Sequence, residues 1–167
     1  MGLRSSAGGP AAVVVSATHS GAGKTTITRA LLWALQERGL VVQAFKIGPD
    51  FIDPMYHRAL TGRASINLDL WMMGEDGLRE AFQRWSAGAD VVVIEAMGAL
   101  FDGADGGQVG SAAHVAAILD VPVVVVVDVW GMTRTAGAVM DGMDGFDPRV
   151  EIGGLILNRV GSRTHRE

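Results

Sequence analysis

The chain has 167 residues, 49% hydrophobic and 19% charged, enough apolar material for one packed domain and too much for wholesale disorder. A net charge of −4 gives no electrostatic footing for nucleic acid or for an anionic membrane surface. The absence of cysteine excludes disulfides, thiolate metal sites and a cysteine nucleophile within these residues, and no stretch reaches the ~20 apolar residues of a membrane helix, so a cytoplasmic protein is the expectation.

Residues 1–11 are small and glycine-rich and read as a flexible lead-in, with one domain over 12–167. The run at 12–16 predicts a buried strand. A helix follows over 23–38, with Leu31, Leu32 and Leu35 at helical spacing and Gly39 as its stop. A second strand is predicted at 41–45. Residues 75–86 predict a helix with Leu78, Phe82 and Trp85 on one stripe, and 91–94 a third strand. Then come a helix over 111–119, a strand over 123–127 opened by Pro122, a glycine-weakened helix over 132–143 and a fifth strand over 152–157. Continuous Val/Ile runs imply strands covered on both faces. Their alternation with helices implies an α/β fold with a doubly wound, mostly parallel sheet.

The strongest motif is Ser20-Gly21-Ala22-Gly23-Lys24-Thr25-Thr26, which follows a strand and opens a helix. Glycines let successive backbone N–H groups turn inward around phosphate oxygens, and the helix N-terminus adds partial positive charge there. Lys24 can reach β- and γ-phosphates, and the Thr25 hydroxyl can ligate Mg²⁺. The strict G-x-x-x-x-G-K-[ST] pattern is not met, because Thr18 stands at its first glycine. ATP with Mg²⁺ is the expected ligand pair.

Magnesium takes hard oxygen ligands and usually one or two carboxylates. Asp50 and Glu95 stand just past strand ends, where ligands bind in open parallel sheets. Asp53 lies three residues after Asp50, and Asp102 lies in the glycine-rich loop beyond Glu95. Asp53-Pro54 also reads as a helix start, and Asp102-Gly103 as a plain turn. Lys46, ending the second strand, either reaches solvent or points at the phosphates. His19 is a lone imidazole in the loop, while His57, His114 and His165 form no ligand spacing. The eight methionines read as core filler, and Trp33, Trp71 and Trp85 as packing. Asp128 reads as a turn residue and Arg134 as a surface cation.

These residues carry a resemblance. The stretch Thr18 to Thr26, then Phe45-Lys46-Ile47-Gly48-Pro49-Asp50-Phe51-Ile52-Asp53-Pro54, is followed by His57, Thr61-Gly62-Arg63, Asn67-Leu68-Asp69 and Trp71-Met72. Further on stand Ile94-Glu95, Asp102-Gly103, Val127-Asp128, Gly131-Met132 and the run Ile156 to Ser162. In this order the chain resembles the N-terminal ATP-binding domain of cobyrinate and hydrogenobyrinate a,c-diamide synthases, P-loop amidoligases grouped with dethiobiotin synthetase. The resemblance implies ATP-dependent amidation of the a- and c-acetate carboxylates of a corrinoid acid, through an acyl phosphate that ammonia displaces. It implies metal binding by Thr25, Asp50 and Glu95, and places Asp53 and Asp102 beside the reacting carboxylate, with Lys24 and Lys46 screening charge. It gives Asn158 the reading of adenine. The expected partners are a corrinoid acid and ammonia, either free or from a separate glutaminase subunit. A homodimer is compatible, and neither nucleic acid nor membrane is expected.

Three departures stand out. Ala17 and Ala96 replace family glycines, and the loop 97–100 is altered. The family's glutaminase domain, with its cysteine nucleophile, is not among these residues, so a fragment, a split subunit or a decayed copy is expected. Three other readings stay open: a partition-type switch ATPase, a carboxylating ligase like dethiobiotin synthetase, and an inactive nucleotide-binding remnant. The switch class usually has a lysine where His19 stands, and an Asp-x-x-Pro where this chain has Glu95-Ala96-Met97-Gly98.

Overall fold

The computed structural model describes residues 9–161, so most of the lead-in and His165 lie outside the described residues. Six strands form one sheet: β1 (Ala11–Ala17), β2 (Val42–Ile47), β3 (Ile66–Leu68), β4 (Val91–Glu95), β5 (Val123–Asp128) and β6 (Ile152–Asn158). Their spatial order is β3-β2-β4-β1-β5-β6, and every neighbouring pair is parallel. Five α-helices connect them: α1 (Lys24–Gln36), α2 (Asp53–Thr61), α3 (Leu70–Ser86), α4 (Ala112–Leu119) and α5 (Arg134–Asp144).

The continuous apolar runs divide by parity between two cores. Val14, Phe45, Val92, Ile94, Val123 and Val125 enter one core with Leu78 and Phe82 of α3 and the buried residues of α4. Val13, Val15, Ala44, Val91, Val93 and Val126 enter the other, with Leu32 of α1. This double burial is why the strands show no polar alternation. Phe45 is fully buried, with its ring 5.6 Å from that of Phe82. Phe45→Ala is expected to cost about 3–5 kcal/mol by removing an aromatic from a site that cannot fully collapse. Urea unfolding should show a lower midpoint at an unchanged slope.

Among the α-helices and strands, α2 and β3 lie outside the sequence expectations. The buried residues of α2 are His57 and Thr61, so it carries no apolar stripe. β3 is a three-residue edge strand. α3 begins earlier than the stripe predicts. Asp69 caps its first turn, accepting from the N–H groups of Trp71 and Met72, and Gly74 then breaks the helix at φ 66°. Only the part beyond Gly74 carries the stripe, with Leu78 and Phe82 buried as predicted, whereas Trp85 is exposed and Ser86 is buried in its place. β1 starts at Ala11, one residue inside the expected lead-in.

Candidate active site

All strands of a parallel sheet point their carboxyl ends the same way, and the connections leaving those ends build one rim. At the end of β1 the chain turns through Gly21 (φ 85°) and Gly23 (φ 98°), both in the left-handed region that favours glycine. A side chain at Gly23 would also collide with the amide of Asn158. Gly23 caps α1 from there, so the helix opens with unpaired N–H groups at the loop. The loop residues Ser20, Gly21, Gly23, Lys24, Thr25 and Thr26 line a cavity of about 310 Å³ together with Lys46, Ala96, Met97 and Gly98.

Lys24 is buried, and its Nζ donates to the carbonyl of Gly98 at 2.9 Å. Burial lowers its pKa, the neighbouring Lys46 charge adds to this, and Glu95 and Asp53 oppose it only in part. Lys46 is 4% exposed and held among carboxylates: Asp53 Oδ2 at 2.6 Å, Glu95 Oε1 at 3.2 Å and Asp50 Oδ2 at 3.4 Å. Burial works against its charge, but the hydrogen bond and charge of Asp53, with Glu95, outweigh it and raise the pKa. Lys46 therefore points into the site, not to solvent.

Glu95, at the tip of β4, is fully buried. Its Oε1 accepts from Thr25 Oγ1 at 2.6 Å, and its Oε2 accepts from His57 Nε2 at 2.8 Å. Burial favours its neutral form, yet the hydrogen bonds from His57 and Thr25 and the Lys46 charge hold its pKa below the ordinary carboxylate value. Asp53 also pairs with Arg29 at 3.2 Å. Asp50 is committed differently: its Oδ1 accepts from the backbone N–H groups of Ile52 and Asp53, fixing the entry to α2.

Lys24, Thr25 and Lys46 thus line one cavity, and Asp53 and Glu95 join the same cluster through Lys46 and Thr25. The Asp50 carboxylate meets the cluster through Lys46 and the backbone N–H of Asp53. Asp102 is exposed and makes no ion pair among the described residues; it lines an adjoining cavity of about 330 Å³ with Pro49, Leu68, Trp71, Met97 and Val109. Asn158 donates to the carbonyl of Ala22 at 2.8 Å, and next to it Arg159 pairs with Asp128 at 2.9 Å. Asp128 therefore anchors an ion pair as well as a turn. The donors beside the phosphate loop are hard oxygens, the Thr25 hydroxyl and the Glu95 carboxylate, which suits Mg²⁺. Among the described residues no three Asp, Glu or His side chains form a metal cluster, so phosphate oxygens and water would complete the shell.

His57 and its partner Ser65, 3.0 Å from Nδ1, were invisible to a search for ligand spacing. The available signal was the helix start at Asp53-Pro54, which puts His57 one turn beyond Asp53 on the same face. The packing reading of Trp33, Trp71 and Trp85 is overturned: all three are exposed, Trp71 most of all at 88%, beside Met72 at 74%. Met55, Met72 and Met97 are likewise exposed, so the methionines are only partly core filler. Ala17 and Ala96 are fully buried, and the N–H of Ala96 donates to Val15 at 2.9 Å, so the tip of β4 stays tied to β1 despite the lost glycines. A larger cavity, about 850 Å³, lies by the amino ends of β1 and β4 near Pro10, Phe82, Ser86 and Asp90, and contains none of these groups.

Residues 13–167 match the CobQ/CobB/MinD/ParA nucleotide-binding domain model. The chain belongs to this family. It is 50% identical over 164 residues to the hydrogenobyrinate a,c-diamide synthase of Thermobifida fusca, covering 93% of this chain and 35% of that protein. It is 46% identical over 157 residues to the cobyrinate a,c-diamide synthase of Gloeobacter violaceus, with the same two coverages, 93% and 35%. The chain therefore spans about a third of the length of these curated relatives. Solved structures share the fold at low identity. The signal recognition particle receptor FtsY of Elizabethkingia anophelis aligns with a TM-score of 0.60 at 16% identity, over 93% of this chain and 52% of that one. The kinase domain of the Escherichia coli tyrosine kinase ETK aligns with a TM-score of 0.63 at 16% identity, over 91% and 68%. The fold is that of P-loop nucleotide-binding proteins. Among the described residues, no helix is long and apolar enough to cross a membrane.

Proposed function

We propose that this chain is the nucleotide-binding, carboxylate-activating part of a cobyrinate or hydrogenobyrinate a,c-diamide synthase, using Mg·ATP. The observation that carries the reading is one shared cavity, lined by loop glycines and Lys24 on one side and by Lys46, itself paired with Asp53 and Glu95, on the other.

A carboxylate is a poor electrophile until it gains a leaving group. In the proposed reaction an acetate oxygen of the corrinoid acid attacks the γ-phosphorus, the bond to the β-phosphate bridging oxygen breaks, and ADP leaves. The nitrogen lone pair of ammonia then attacks the acyl carbon, the bond to phosphate oxygen breaks, and phosphate leaves with an amide and a released proton. Two anions must meet before the first step. Lys24 and the loop N–H groups hold the phosphates, while Lys46 meets the incoming carboxylate, held in place by Asp53 and Glu95. Thr25 and Glu95 would hold Mg²⁺, with Asp50 the next carboxylate in reach through Lys46. When bound, that ion screens charge between the phosphates.

The apolar rim supports an acceptor with a broad ring. Trp71 and Met97 flank the cavity that adjoins the phosphate site, and Met97 and Gly98 line both. Asp69 and Gly74 hold Trp71 and Met72 out in solvent, an arrangement that otherwise only costs solubility. Stacking on an aromatic is worth roughly 1–3 kcal/mol for a nucleobase. Trp71→Ala is therefore expected to raise KM for the corrinoid about tenfold or more and leave KM for ATP unchanged, as steady-state kinetics would show.

The test is direct. The purified chain with ATP, Mg²⁺, ammonia and cobyrinate or hydrogenobyrinate should release ADP in step with amide formation, read by mass spectrometry. Ammonia is supplied because these residues contain no thiol to release it from glutamine. No corrinoid-stimulated ADP release at any ammonia concentration overturns the reading.

A further inference from the structure

Glu95 is the buried acid on which the phosphate loop and Lys46 both lean, and its two oxygens have different duties. Oε1 faces Thr25 at 2.6 Å and Lys46 at 3.2 Å, while Oε2 faces only His57 at 2.8 Å. His57 is itself fully buried, and Ser65, one residue before β3, stands 3.0 Å behind its other ring nitrogen. A continuous polar chain therefore runs from Ser65 through His57 and Glu95 to Thr25, joining the α2–β3 connection to the first turn of α1.

The placement costs more than an apolar residue would. Leucine or methionine of similar bulk would satisfy a purely packed position, whereas a buried imidazole must find partners on both nitrogens. An ionised carboxylate only accepts hydrogen bonds, so Nε2 carries the proton toward Glu95. Without that donor, Oε2 would be a buried, unsatisfied acceptor, and the Glu95 side chain would gain by turning it toward Lys46 or Thr25.

We propose that His57, backed by Ser65, is a positioning residue that fixes the Glu95 carboxylate with Oε1 toward the phosphate cavity and so sets how strongly the nucleotide-bound divalent cation is held. The proposal rests on the reading of Glu95 as a partner of Mg²⁺. Groups behind a ligand commonly change metal affinity by about 10–100-fold when removed.

The experiment titrates ADP into the purified chain by calorimetry, once with Mg²⁺ and once with chelator. The wild-type chain is expected to bind ADP more tightly with Mg²⁺. In His57→Ala that gain should shrink about 10–100-fold, with ADP affinity in chelator unchanged. His57→Gln, which keeps an N–H donor, should recover most of the gain, and Ser65→Ala should lose a smaller part. A merely structural role predicts equal losses with and without Mg²⁺ and no recovery by glutamine. That pattern, or a full Mg²⁺ gain in His57→Ala, overturns the proposal. If His57→Ala does not fold, His57→Leu carries the same expectation, and if neither folds, an unchanged gain in Ser65→Ala overturns it. A wild-type chain with no Mg²⁺ gain sinks the magnesium reading of Glu95 and this proposal with it, whereas a gain lost by no variant sinks only the role of His57.

Discussion

Lys24→Met is expected to lower corrinoid-dependent ATP turnover by a factor of about 10²–10³, the usual loss when one donor to a developing oxyanion is removed. Among the described residues the neighbouring cations are already paired, Arg159 by the loop with Asp128. Lys46 is committed to Asp53, Glu95 and Asp50, and Arg29 to Asp53. Without phosphate, the Lys24 ammonium rests on the single carbonyl of Gly98, a partner that a γ-phosphate would readily outcompete. The variant should keep its fold. Burial and the Lys46 charge lower the pKa of Lys24, so its charged form is disfavoured in the folded state, and removing it relieves repulsion. Turnover and melting temperature should then move apart: the first collapses and the second holds or rises. Turnover within threefold of wild type, or a lower melting temperature, would contradict this account of the lysine.

The sequence exposed those parts of the fold where one residue property repeats. The Val/Ile runs of β1, β4 and β5 marked buried parallel strands because both their faces are covered. β3 escaped because three residues make no pattern and one of them is Asn67. α2 escaped because it buries polar residues, His57 and Thr61, where helix recognition looks for an apolar stripe. The same fact hid His57 as a site residue: its neighbour Glu95 is 38 positions away, and only the pairing of β2 with β4 brings them together. The phosphate loop was legible because its work is done locally, by backbone turns that glycine permits. The register Lys46 opposite Glu95 was not, since sequence specifies two strand tips but not that they are neighbours. Trp71 misled for a related reason. An aromatic near a helix start usually packs, and nothing in the local pattern shows that Asp69 and Gly74 turn it outward.

Lys46→Met tests the cluster as a unit, and both stability and turnover should suffer. Removing one partner of a buried ion pair typically costs about 3–5 kcal/mol, because the other charge is left buried. The lower end is expected here, since Asp53 keeps Arg29, and Glu95 keeps His57 and Thr25. Turnover should fall about 10²–10³-fold, as the acceptor carboxylate would meet Asp53 and Glu95 with no intervening cation. The pH dependence carries a sign. The Glu95 pKa is depressed in the folded state, so its contribution is full above the ordinary value of 4.5 and is lost as pH falls through the folded value. The Lys46 pKa is raised, so its contribution is full below the ordinary value of 10.5 and is lost as pH climbs through the folded value. Lys46→Met should abolish the alkaline loss. It should also move the acid loss to higher pH, because one of the charges holding the Glu95 carboxyl down is gone. Melting temperature followed from pH 3 to pH 11 reads both limbs. Adding Glu95→Gln to Lys46→Met should then cost less than the sum of the single variants, since each removes a charge the other was balancing. Strict additivity would mean that the 3.2 Å approach of Lys46 to Glu95 contributes nothing in solution.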